Sequence, residues 1–229
     1  MKIIEPGMFL PEPETDSSKI KKIERYARVC YKSEDKMKDD AETSLVQSLI
    51  KRGHESVIEH EKVTVMMVID RGLSHEVVRH RLASYSQEST RYCNYQKDKF
   101  GSEITVIKPF YYRERSKEYK AWEEACLYAE KKYFELLDHG SSPQEARAVL
   151  PNSLKTEIVV TYNMREWRHF FRLRGSKAAH PQARQVAIPL LLEFKQLFPG
   201  VFEDIEYDTS FYRDDYAWVV YTDEYFQEK

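Results

Sequence analysis

The chain has 229 residues, 36 Lys and Arg against 38 Asp and Glu, a net charge of −2 and 41% hydrophobic residues. That length supports one sizeable domain with its own core, and the balanced charge argues against a general polyanion binder, which neutralises many phosphates with a basic surplus. No apolar run approaches the ~20 residues of a membrane helix.

The first residues carry prolines and acids and lack the pattern of a secretory signal. Three widely spaced cysteines, Cys30, Cys93 and Cys126, form neither a disulfide framework nor a zinc pattern. A reducing, cytoplasmic setting is expected.

In chain order, residues 17–31 read as a helix opened by serine, with Ile20, Ile23, Ala27 and Cys30 at helical spacing. A second helix, AETSLVQSLIKRG, ends at Gly53, a residue suited to the left-handed conformation after a last turn. EKVTVMMVID alternates Val63, Val65 and Met67 with Lys62, Thr64 and Met66, as a strand does. Arg71-Gly72 breaks it. LSHEVVRHR then predicts a short helix with Ser74 as N-cap, running as far as Arg81.

ITVIKP reads as a second strand, and residues 115–139 as a long helix stopped by Gly140. Ser142-Pro143-Gln144-Glu145 is a capping box that opens a helix toward Leu150. LKTEIVVTYN is a third strand. MREWRHFFRLRG is a helix capped by Asn163, with Glu166 completing a second capping box, and closed by Gly175. HPQARQVAIPLLLEFKQLFPG is a last long helix with Pro189 as a kink. The expected fold class is α+β: helices around a small central, largely antiparallel sheet, as a single domain over residues 1–229.

The densest polar stretch is RHRLASYSQESTRY, residues 79–92. On a helix, Arg79, His80 and Arg81 fan over roughly 200° of the circumference. They then face solvent, different ligands or different subunits. In an extended chain Ser89 and Arg91 project to one side, and a hydroxyl, a guanidinium fork and backbone N–H groups make a phosphate clamp. The same run also reads as a solvated helix end followed by a polar loop.

On residues 164–174, Trp167, Phe170, Phe171 and Arg174 share one face, with Arg165 and His169 opposite. Arg174 either snorkels toward the last carbonyls or acts on a ligand. His54, Glu59 and His60 do not have the HExxH spacing, so no metal is expected. Cys93 has no histidine nearby in sequence to lower its thiol pKa, so no protein nucleophile is expected.

Arg79-His80-Arg81, seven residues and Ser89 match the RHR-x7-S signature of the flavin-dependent thymidylate synthases, the ThyX family, and Arg91-Tyr92 extends the match. GHESVIEH (53–60), EARAVLP (145–151), NMREWRHFFRLR (163–174) and AHPQAR resemble further segments of that family in the same order. The resemblance is strongest over residues 53–184, and residues 203–229 form an unassigned tail. It implies methylation of dUMP to dTMP, with carbon from 5,10-methylenetetrahydrofolate and hydride from FAD reduced by NADPH. It also implies a homotetramer whose active sites are shared between chains, with no nucleic-acid or membrane partner.

By resemblance, Glu76, Arg79, Gln87, Glu88, Ser89, Thr90, Arg91, Arg147 and Arg174 bind dUMP. Arg174 is then the catalytic residue, activating the uracil ring electrostatically. Ser56, Arg79, His80, Arg81, Gln87, Asn163, Arg165 and His169 bind FAD. No GxGxxG turn follows a strand, so FAD is implied by the resemblance alone. The competing class is a nucleic-acid-binding protein that uses the basic run and its tyrosines for phosphate contact and stacking. It would lack the yellow colour of a flavoprotein.

Overall fold

A computed structural model of the chain describes residues 1–11, 18–37, 43–97 and 101–225. The serine start expected at residue 17 and the first two residues of AETSLVQSLIKRG lie outside them. The strands are β1 Lys2–Ile4, β2 Gly7–Leu10, β3 Lys62–Asp70, β4 Ala83–Gln87, β5 Thr105–Ile107, β6 Lys155–Asn163 and β7 Trp218–Tyr221. The helices are α1 Ser18–Tyr31, α2 Thr43–Lys51, α3 Arg71–Val77, α4 Lys117–Asp138, α5 Pro143–Ala146, α6 Met164–Arg174 and α7 Pro181–Leu197.

The fold is α+β. Five strands form one mixed sheet in the order β4-β6-β3-β2-β7. A separate pair, β1 and β5, runs parallel with Ile3 opposite Val106. Compactness divides the described chain into two units interleaved in sequence. The first is Met1–Gly7, Met67–Arg79 and Ser86–Ile158; the second is Met8–Met66, His80–Tyr85 and Val159–Lys229.

The first unit builds its core from Tyr95, Ile104, Val106, Cys126, Tyr133, Ala146 and Leu154. Its long helix α4 starts where the Ser116 hydroxyl accepts a hydrogen bond from Tyr119 N at 3.1 Å, satisfying one of the unpaired amides of the first turn. The expected capping box at residue 142 forms, with the Glu145 carboxylate accepting from Ser142 N at 2.8 Å and from its hydroxyl at 2.6 Å. The helix it opens is short: α5 ends at Ala146, and a 3-10 turn over Arg147–Val149 follows.

The second unit is packed around aromatic rings. Trp167, Phe170, Phe171, Phe194 and Phe202 are buried. Trp167 stacks on Phe171 with centroids 5.5 Å apart, and its indole N–H donates to Val63 O at 3.1 Å. Each fully buried ring of this kind stabilises by roughly 1.5–3 kcal/mol. Three of the five project from α6 at i, i+3 and i+4, the apolar stripe visible in the sequence. Gly175 closes α6, and a Cβ there would lie 2.8 Å from Phe171 O, which favours glycine at this position.

Three local expectations are corrected. Helix α3 is capped by Asp70, whose Oδ1 accepts from Leu73 N at 2.7 Å. Ser74 is buried inside the helix and its hydroxyl donates to Arg71 O at 2.9 Å. The last residue of β3 thus doubles as the cap, a position that aspartate favours. The helix also stops at Val77, so Arg79, His80 and Arg81 do not fan around it. Arg79 N bonds Glu76 O in a tightened i+3 turn, the usual way a helix end closes. Strand β3 departs from strict alternation because Met66 is buried along with Val65 and Met67.

Candidate active site

The residues expected to form the site divide between the two units, with the boundary falling between Arg79 and His80. In the first unit, α3 carries half-buried Glu76 and leads to exposed Arg79. Gln87, the last residue of β4, donates through Nε2 to Ser74 Oγ at 2.9 Å and to Thr156 Oγ1 at 3.2 Å. The Glu88 carboxylate accepts from Lys155 Nζ at 3.0 Å and from Tyr95 OH at 3.1 Å. Burial and that carboxylate hold the Tyr95 phenol far above its ordinary pKa, so it stays a donor. These bonds anchor the base of the loop that follows.

That loop is a turn, not the extended chain expected at Ser89 and Arg91. Ser89 O accepts from Tyr92 N at 3.1 Å and Cys93 N at 2.9 Å, and Ser89 Oγ accepts from Arg91 N at 3.3 Å. A serine hydroxyl that closes a turn is the local competition with strand pairing expected of this residue type. Thr90 is buried, and its Oγ1 accepts from Arg147 Nη1 at 3.3 Å. The turn and the α5 end, 57 residues apart in sequence, therefore meet. Ser89, Arg91 and Arg147 are gathered around one short segment. Arg91 is exposed and lies 5.4 Å from the Tyr92 ring.

In the second unit, Asn163 caps α6 as expected, its Oδ1 accepting from Glu166 N at 2.8 Å. The reciprocal half of that capping box is corrected, because the Glu166 carboxylate turns to His80. His80 Nδ1 lies 2.8 Å from Glu166 Oε1, and Arg174 Nε donates to His80 Nε2 at 3.3 Å. His80 is only 2% exposed. Its carbonyl accepts from Tyr85 OH at 2.6 Å, and that hydroxyl is 2.8 Å from Tyr162 OH.

Burial first, then the neighbouring Arg174 and His169, push the His80 pKa down to about 4. An imidazole beside a carboxylate normally gains basicity. Here Arg174 occupies the second nitrogen as a donor, so that nitrogen must present a lone pair and the ring is neutral. Burial raises the Glu166 pKa.

Arg165 and His169 lie exposed on the face away from the aromatic stripe. Arg165 is ion-paired to Glu59 and lies 3.5 Å from Glu55. Ser56 is exposed in a 3-10 turn over Glu55–His60. Arg81 is exposed and makes no ion pair or hydrogen bond through its side chain among the described residues.

His80, Glu166 and His169 bring ligand-type atoms within 4.8 Å of one another. Hydrogen bonds to Glu166 and Arg174 already engage both ring nitrogens of His80, so the group is a polar bridge. Outside it, His54 Nδ1 meets Tyr31 OH at 3.2 Å and His60 packs on the Tyr26 ring.

Sequence reasoning missed Glu166 as a partner of the basic run. The available signal was spacing. On an ideal helix Glu166, Phe170 and Arg174 fall within about 80° of one another.

The model described as "Thymidylate synthase complementing protein" matches residues 14–200. The chain belongs to this family. Relatives named flavin-dependent thymidylate synthase include a Geobacter sulfurreducens protein, 36% identical over 185 residues, which are 78% of each chain. A Mycobacterium tuberculosis protein of the same name is 35% identical over 199 residues, 82% of this chain and 80% of its own. In solved structures, the fold resembles a UMP/dUMP methylase, PolB, from Streptomyces cacaoi. That likeness has a TM-score of 0.72 at 23% identity, over 89% of this chain and 96% of that one.

Proposed function

We propose that this chain is a flavin-dependent thymidylate synthase that methylates dUMP to dTMP. Carbon comes from 5,10-methylenetetrahydrofolate and reducing equivalents from NADPH. The observation that carries the reading is the meeting of Arg147 with the Ser89–Arg91 turn, within a chain of this family. A hydroxyl and two guanidinium groups around one turn suit a phosphomonoester, which accepts several charge-assisted hydrogen bonds. Glu76, Arg79, Gln87, Glu88, Ser89, Thr90, Arg91, Arg147 and Arg174 are assigned to dUMP. Within this set Gln87, Glu88 and Thr90 act partly by holding the loop, since their side chains already bond protein groups.

For FAD the donor set also fits. Arg79 and Arg81 offer exposed guanidinium groups and Ser56 an exposed hydroxyl, the chemistry a diphosphate needs. Asn163, Arg165 and His169 complete the assigned set. Gln87 joins it by resemblance, and His80 by its place in the run. Reduced FAD, when bound, supplies the hydride.

Arg174 is assigned the catalytic role. A guanidinium that stabilises negative charge developing on the uracil ring makes C5 a better nucleophile. No thiolate is required. Cys93 is half-buried, and burial raises the Cys126 thiol to about 11, away from reactivity.

We further propose one functional domain over residues 1–229, acting as a cytoplasmic homotetramer with active sites shared between chains. Helix α4 supports the oligomer. Only Cys126 and Tyr133 of its 22 residues are buried, while Leu127 and Tyr128 are exposed. Among the described residues no helix is long and apolar enough to cross a membrane.

The test is tritium release from 5-labelled dUMP by the flavin-loaded protein. Release that depends on methylenetetrahydrofolate and NADPH is expected. No release under any combination, from folded yellow protein, would end the reading.

A further inference from the structure

We infer that Glu166 and His80 form a two-residue bridge that positions the guanidinium of Arg174. Neither residue needs to touch a ligand for this. The inference rests on the reading of Arg174 as the group that acts on the uracil ring.

The argument starts from donors and acceptors. The Nε–H of arginine can only donate, and an ionised carboxylate can only accept. Arg174 Nε points at His80 Nε2 at 3.3 Å, so Nε2 must carry the lone pair. The single ring proton is therefore on Nδ1, the atom 2.8 Å from Glu166 Oε1. Carboxylate, imidazole and guanidinium form one polarised chain, and each link permits one tautomer. If the ring proton moved to Nε2, two N–H groups would face each other and Arg174 would lose this anchor.

The bridge is built to hold still. His80 and Glu166 are both buried. The His80 ring lies 5.2 Å from the Phe170 ring and 5.9 Å from the Tyr162 ring, centroid to centroid. Its backbone carbonyl is tied to Tyr85 OH at 2.6 Å. Arg174, by contrast, is the last residue of α6, where a helix end frays most readily. Glu166 lies two turns earlier on the same helix, in the well-packed first turn. The bridge therefore carries the order of the start of the helix to its end through a residue from another segment. Fixing Nε fixes the plane of the guanidinium, and misplacing a reacting group by about 1 Å costs on the order of a hundredfold in rate.

Three variants test this in the flavin-loaded protein. Glu166→Leu removes the acceptor for Nδ1–H, and Glu166→Gln keeps an acceptor while removing the charge. Arg174→Ala removes the group being positioned. We expect Glu166→Leu to lower kcat by about 10- to 100-fold, with KM for dUMP and flavin absorbance nearly unchanged. Glu166→Gln should recover most of that loss. In the Arg174→Ala background, Glu166→Leu should cost nothing more, because two residues that act through one contact are not additive. Histidine 15N NMR should show His80 protonated on Nδ1 in the wild type and in Glu166→Gln, and shifted toward Nε2–H in Glu166→Leu.

An Nε2–H tautomer in the wild type would overturn the bridge. So would wild-type kcat in Glu166→Leu, or equal losses with and without Arg174. Full turnover by Arg174→Ala would instead sink the assigned role of Arg174, leaving the NMR result to judge the bridge. If Glu166→Leu fails to fold or to hold flavin, His80→Gln against His80→Phe puts the same question. The amide should retain more turnover than the ring, and the reverse order refutes the bridge.

Discussion

Lowering the pH from 7 to 5 should cost the protein about 2 kcal/mol of stability through His80 alone. Burial, Arg174 and His169 depress its pKa from 6.5 to about 4. Between those two values the unfolded chain binds a proton that the folded chain refuses. Stability therefore rises with pH across the window. The contribution is fully present above the unfolded value and is lost as pH falls toward the folded one.

At pH 5 the protonation factor of the unfolded chain exceeds that of the folded chain by about thirtyfold, which is about 2 kcal/mol; at pH 7 the corresponding term is about 0.2 kcal/mol. Glu166 pulls the other way, because its raised pKa makes the folded chain the better proton acceptor there. A comparison that keeps Glu166 in both proteins removes most of that term.

The variant is His80→Gln, whose amide donates and accepts but does not titrate. Urea midpoints at pH 7 and pH 5, read by circular dichroism and flavin fluorescence, give the stability gap between wild type and variant. The gap should move by about 2 kcal/mol in favour of the variant at the lower pH. An identical gap at both pH values would refute the claim that this imidazole is buried and neutral.

Two further outcomes follow from geometry already described. Arg147→Ala should raise KM for dUMP about tenfold, the loss of about 1.4 kcal/mol expected for one charge-assisted hydrogen bond, with kcat little changed. Steady-state kinetics check this, and an unchanged KM would remove Arg147 from the phosphate site. Gly175→Ala places a Cβ 2.8 Å from Phe171 O. It should lower stability by about 1–3 kcal/mol, typical of overpacking, as read from the urea midpoint.

The long elements of this protein are written locally. Strand β6 alternates buried residues with half-buried or exposed ones along its length, and α6 shows its aromatic stripe at helical spacing. Asn163 announces its helix start by accepting from the amide three residues on, and Ser142 announces its own through the Glu145 carboxylate that reaches back to its amide and hydroxyl. Gly53 ends its helix with φ at +77°, a conformation that costs glycine little. Each of these depends on neighbours within one turn, so the sequence alone determines it. The basic run and its serine were equally plain.

What the chain does with them was decided elsewhere. The three-residue strand β1 pairs with β5, about a hundred residues away, and nothing near Lys2 signals it. Glu166, which the sequence offers as half of a capping box, is taken by a histidine 86 residues away, and Arg147 finds Thr90 across 57. These bonds join segments whose approach costs chain entropy that no local pattern supplies. The packed core, by burying Trp167, Phe170 and Phe171, is what brings α6 to the histidine and so selects the tertiary partner over the local one.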